Sequence, residues 1–292
     1  MAWDTEEFSA MLDWMRAYNQ KVPDEKKIRF YGIEVISTQG TGREKVLDYI
    51  NKYAPEKAAF TDSLFRVLAS EDEKWPARLD QGVLQSAFIP LQALLSYFTT
   101  NKNKLVTSSS LNEWKQTYKY LEVMEQGLYV NVTDIPPAFS SKRMGRDEYS
   151  AQNVFYIMEE RPGTKIMIWE HNVHIAHSPE DKTLGYNLHQ KLGERYYGIA
   201  FECYEGTFQA RELEPDGYWG ELKADTLLPV QKSLGWYFTQ AGKEKVFIDL
   251  RISPSNPVVE NWLTTPIRMN AGSWKYRSAH ENFETRKIKD LY

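Results

Sequence analysis

Short runs of β-branched and aromatic residues alternate along this chain with amphipathic stretches of helical period. The runs are "KIRFYGIEV", "KIMIWE", "RYYGIAFECY" and "KVFIDLR", and each carries the composition of a strand. Between or after them fall "LGYNLHQKLG", "VQKSLGWYFTQAG" and "NPVVENWLT", which read as helices. Strands alternating with helices predict an α/β fold, with a mostly parallel central sheet flanked by helices.

One long stretch breaks the alternation. From residue 61 to about 160 there is no strand pattern. "ARLDQGVLQSAFIPLQALLSYF" carries the stripe Leu84, Ala87, Phe88, Leu91 and Leu95, with Pro90 expected to kink it. "SLNEWKQTYKYLEVMEQG" opens on a Ser110/Glu113 capping box and is expected to close at Gly127. "RDEYSAQNVFYIMEERPG" is a third helix, stopped by Pro162 and Gly163. The expected organisation is one α/β domain over 1–292, with a large helical insert forming a subdomain at 61–145. At the ends, an amphipathic first helix is expected behind an Asp4/Glu7 capping box, and "ETRKIKDLY" reads as a polar helix.

The charge balance narrows the partners. Among 292 residues, 36 Lys and Arg oppose 40 Asp and Glu for a net −4, and no basic block stands out. Nucleic acid and anionic membrane surfaces are therefore poor partners. No apolar run has the length of a membrane span, and the acidic N-terminus lacks the pattern of a signal peptide. Cys203 is the single cysteine, so a disulfide within the chain is impossible and a reducing, cytoplasmic location is expected. Oligomeric state is left open.

Several motifs fail on inspection. "GTGREK" lacks the Gly-Lys-Ser/Thr of a phosphate loop and the third glycine of a dinucleotide fingerprint, and reads as a turn. No Gly-x-Ser-x-Gly elbow exists. Cys203 in "FECYEG" reads as a small apolar residue of a buried strand rather than a nucleophile. Glu202 and Glu205 follow that run, where a side chain can face a crevice, and Glu205 is assigned to substrate binding.

"KIMIWEHNVHIAHSPED" places three of the five histidines within seven positions. If "KIMIWE" is a strand, Glu170, His171, Asn172 and His174 sit at the carboxyl edge of the sheet, where open α/β folds bind ligands. On a helix, residues 171 and 177 would point about 120° apart, so the three rings do not converge on one ion. The spacing also misses the zinc motifs, and no metal or other cofactor is expected. His177 is expected to face solvent. Histidine carries a proton near neutral pH without a cofactor. His171 and His174 can therefore divide the work: one activates water, the other steadies developing negative charge.

Six stretches together resemble successive blocks of the erythromycin esterase family. They are "LDWMRAYNQ", "IRFYGIEV", "RDEYSAQNVFYIM", "IWEHNVHIAH", "LGYNLHQKLGERYYGIAFECYEGTFQAR" and "WLTTPIRMNAG". The resemblance implies an α/β fold with a helical subdomain, and hydrolysis of a macrolide lactone by histidine-activated water. A small-molecule ester is thus the implied partner. His171 carries over as an active-site residue, with His174 beside it. Arg146 is placed to support charge or, alternatively, to pair with Asp147 or Glu148. Glu34 stands where an aspartate is expected, and Glu34 and Asn172 join Glu205 as substrate-binding residues. Family members usually begin with a Gly-Glu-x-x-His-Gly block and end on a further strand. This sequence shows neither, and the expectation is a partial member with impaired chemistry. Two other readings stay open: a non-catalytic binding module with a degenerate esterase cleft, and a metal- or haem-binding relative.

Overall fold

The structure, a computed structural model, describes residues 5–35, 40–72, 79–135, 137–213, 219–242, 245–250, 256–270, 275–276 and 283–288. It divides into two compact units, Glu34–Lys165 and the combination of Met1–Ile33 with Ile166–Tyr292. The second unit opens with helix α1, Glu6–Asn19. Its cap is Thr5, whose hydroxyl accepts the Phe8 amide at 3.3 Å. Asp4, the expected cap, lies outside the described residues.

The unit Glu34–Lys165 is helical. It holds α2 (Gly40–Tyr53), α3 (Ala58–Asp72), α4 (Gln81–Thr100), α5 (Lys102–Ser108), α6 (Leu111–Asn131) and α7 (Arg146–Glu160). "GTGREK", expected as a turn, is the first part of α2. Asp80 caps α4 by accepting the amides of Gly82 and Val83. The predicted stripe is buried, extended by Leu94 and Phe98, and the helix runs on through Pro90. Ser110 caps α6 by accepting the Glu113 amide, and its hydroxyl donates to the Glu113 carboxylate. The helix does not stop at Gly127, which is buried inside it; it continues to Asn131. Tertiary packing overrides the glycine's weak propensity there. The main hydrophobic core lies in this unit, around Phe88, Leu91, Phe98, Leu121, Met124 and Leu128.

The unit of Met1–Ile33 and Ile166–Tyr292 mixes helices and strands. After α1 come α8 (Asn172–Ile175), α9 (Leu184–Leu192), β1 (Gly206–Leu213), β2 (Trp219–Leu227), α10 (Leu234–Gln240), α11 (Pro257–Thr264), β3 (Ile267–Asn270), β4 (Lys275–Tyr276) and β5 (Phe283–Arg286). β1 and β2 pair antiparallel from Gly206↔Leu227 to Leu213↔Trp219, and β4 pairs parallel with β1. β3 and β5 form a separate antiparallel pair. Residues 284–286, expected in a polar helix, are therefore strand. A small core joins Ala176, Leu234, Leu263, Ile267, Met269 and Ile288.

The mostly parallel central sheet expected from the sequence is not found among the described residues. The described residues of the four runs that predicted it belong to no ladder. Their large side chains are exposed, including Phe30, Met167, Trp169, Phe201 and Phe247. β-branched and aromatic composition reports a preference for a pleated, half-buried surface. The ladder itself requires a neighbour in register, which composition does not encode. The chain is mixed α and β, with helix predominating. Among the described residues no helix is long and apolar enough to cross a membrane.

Candidate active site

Because "KIMIWE" forms no strand, His171 is not carried on a sheet rim. It is instead the N-cap of α8, with backbone angles of −66° and 149° that bring the chain into the helix. Its Nδ1 accepts the backbone N–H of Val173 at 3.2 Å. An amide donating to Nδ1 requires a lone pair there, so the neutral ring carries its proton on Nε2. His171 thus offers a fixed N–H donor rather than a basic nitrogen. Its own amide donates to the Glu170 carboxylate at 3.0 Å.

The turn after His171 is clamped by Asn172. The Asn172 amide nitrogen donates to the Phe201 carbonyl at 2.5 Å, and its oxygen accepts the Phe201 N–H at 3.0 Å. This is the hydrogen-bonding pattern of a neighbouring strand supplied by one side chain. His174 lies one helical turn along, its amide donating to the His171 carbonyl at 2.9 Å. The two rings are 6.5 Å apart, centroid to centroid, and nearly perpendicular. A short helix admits this because residues three apart lie on neighbouring parts of its surface.

His177 does not face solvent. It is half-buried, stacked on His189 with centroids 4.3 Å apart, and lies 5.4 Å from the Tyr196 ring. Burial, and then the charge of His189, hold its imidazole below the ordinary value. Tyr196 donates to the Ile175 carbonyl at 2.7 Å and so fixes the end of α8. Gly185 lets α9 pass close to the same point: a Cβ there would lie 2.0 Å from the Ile175 oxygen. Among the described residues, no three His, Cys, Asp or Glu side chains gather as metal ligands.

Arg146 and Glu34 come together in the helical unit. Arg146 is the first residue of α7, and its Nε pairs with Glu34 Oε1 at 3.1 Å. The same oxygen accepts the Val35 amide at 2.9 Å. Glu148 accepts the Gly145 amide at 2.7 Å, which completes the helix start. The structure thus groups Glu34 with Arg146, and His171 with Asn172 and His174, in separate units.

Of the two glutamates after "RYYGIAF", Glu205 is exposed and Glu202 is the one that burial perturbs. The Glu202 carboxylate accepts the Asn270 amide on both oxygens, at 3.1 and 3.2 Å, and also the Gly235 amide. Burial outweighs these bonds and raises its pKa to about 7. An acid inside an apolar run is a weak signal, and it offers no means of choosing between 202 and 205. Cys203 is not in a buried strand; it is an exposed residue whose sulfur accepts from Asn270 Nδ2 at 3.2 Å. Desolvation pushes the thiol up, away from the thiolate a nucleophile requires.

The family model described as Erythromycin esterase matches residues 1–290. Among solved structures, a succinoglycan biosynthesis protein aligns with a TM-score of 0.76 and 19% identity, over 99% of this chain and 69% of its own. A Bacillus cereus protein aligns at 0.70 and 23%, over 99% and 70%. A mutant of the erythromycin esterase EreC in its open conformation aligns at 0.65 and 16%, over 98% and 71%. None of the curated proteins matches. At these identities the solved structures speak for the fold alone.

Proposed function

The chain belongs to the erythromycin esterase family, and from that premise we propose that it hydrolyses a carboxylic ester of the macrolide lactone type with the His171 turn as its reacting element. The family match along 1–290 carries the reading. The geometry of the turn supports a division of roles. Nδ1 of His171 is engaged by Val173, so His171 acts through Nε2–H as a donor to the ester carbonyl oxygen. His174 acts as the base.

The bonds balance without a covalent enzyme intermediate. Water attacks the carbonyl carbon, its proton passes to His174, and the carbonyl electron pair moves onto the oxygen held by His171. Collapse restores the carbonyl and expels the alkoxide, which takes the proton back from His174. Asn172 holds the turn through Phe201, and exposed Glu205 is assigned to the substrate. Arg146 has its charge already opposed by Glu34, and no step above draws on it.

Incubation with a macrolide, followed by mass spectrometry, tests this reading. Ring opening appears as the gain of one water; an unchanged mass with folded protein counts against it.

A further inference from the structure

Glu202 is half-buried at a junction that the steps above leave unused. Its carboxyl group meets two backbone amides from distant parts of the chain, Gly235 at the start of α10 and Asn270 at the end of β3. These two elements are already joined to each other. Ser233 caps α10 by accepting the Trp236 amide, and a parallel bridge links Ser233 to Arg268. Gly235 packs so closely on residue 203 that a Cβ there would stand 2.8 Å from the Cys203 oxygen. On the other side of Glu202, the Phe201 backbone is held by Asn172. The end of α8, Ala176, shares a small core with Leu234 and Ile267. The His171 turn is therefore tied at one end through this core and at the other through residues 201–203.

We propose that Glu202 is a positioning residue: its carboxyl group fastens residues 201–203 to the start of α10 and the end of β3, and so fixes the Asn172 clamp that holds the His171 turn. Only the functional meaning of that turn rests on the esterase reading.

Cys203 is the titratable neighbour that feels the Glu202 charge. α10 contributes Tyr237 as its only titratable side chain, and β3 contributes Arg268, exposed between buried Ile267 and Met269. Releasing Glu202 into water returns its acid strength to the ordinary range. Folded, it titrates at about 7 rather than the ordinary 4.5. The closed junction therefore holds the proton through that interval, and opening becomes easier as pH rises.

Amide hydrogen exchange of the full chain, read from pH 5 to pH 8 without substrate, tests this. Four amides report: Gly235 and Asn270 at the carboxyl group, Phe201 at the clamp, and Ala176, which donates to the Asn172 carbonyl at 3.1 Å. After correction for the chemistry of exchange, all four lose protection together in the wild type, by about tenfold or more. In Glu202→Gln, which keeps an acceptor oxygen and cannot ionise, this loss of protection on raising the pH is gone. The proposal is overturned if Phe201 and Ala176 stay level while the other two change. It is equally overturned if the wild-type profile is flat, whatever the variant does, or if variant and wild type behave alike. Absence of esterase activity would leave all of these outcomes readable.

Discussion

The Nδ1 atom of His171 accepts the backbone N–H of Val173, two residues ahead, at 3.2 Å. One contact caps a helix and selects a tautomer. The expected consequence is spectroscopic: nitrogen NMR at pH 8 should find His171 Nδ1 unprotonated and Nε2 protonated. A ring with its proton on Nδ1 would remove the donor role.

Replacing the ring separates capping from chemistry. Asparagine is among the best N-cap residues, so His171→Asn should hold stability to within about 0.5 kcal/mol, whereas His171→Ala should lose about 1 kcal/mol. Urea titrations of both variants read the difference.

Gly185 is required by the approach of α9 to the end of α8. A methyl group there meets the Ile175 oxygen at 2.0 Å, its carbonyl carbon at 2.4 Å and the Ala176 oxygen at 2.6 Å, all of them backbone. Alanine ordinarily improves a helix by about 1 kcal/mol over glycine. Here Gly185→Ala should instead destabilise by about 1–3 kcal/mol, because neither backbone can yield cheaply. A lowered urea midpoint with an unchanged slope is the expected result.

The His177–His189 stack gives the fold an acid limit. Unfolded, His177 titrates near its ordinary 6.5; folded, it titrates lower. Between those values the unfolded chain holds the extra proton, so this contribution is complete above pH 6.5 and falls as pH drops. His177→Phe keeps a ring in the stack and cannot charge. Comparison of urea midpoints at pH 5 and pH 8 should show a smaller acid loss in the variant.

Arg146 and Glu34 are both partly exposed, with side chains 36% and 29% accessible. A double-mutant cycle should find a coupling below about 1 kcal/mol.

The helices were legible because their signals are local. The stripe on α4 and the cap of α6 depend on residues within a few positions, and the structure shows them. The sheet was not legible for the opposite reason. "KIMIWE" has strand composition, yet nothing in it specifies a partner, and it joins no ladder. The β1–β2 pair went unread, although "GTFQAREL" buries Ala210 and faces Leu227 across Gly206. At the candidate site, three histidines in seven residues drew attention to the turn that the proposal uses. The fixed tautomer, the stacking of His177 and the burial of Glu202 all depend on residues brought in from elsewhere or on backbone geometry. Spacing alone carries none of that.

On the proposed mechanism, His171 holds the carbonyl oxygen of an ester during its hydrolysis. The most direct test is the rate of macrolide ring opening by wild type and His171→Asn, compared side by side at matched stability. The wild type should open the ring, and the variant should do so about 100- to 1,000-fold more slowly, the usual cost of one lost oxyanion donor. Equal rates in the two proteins would contradict it.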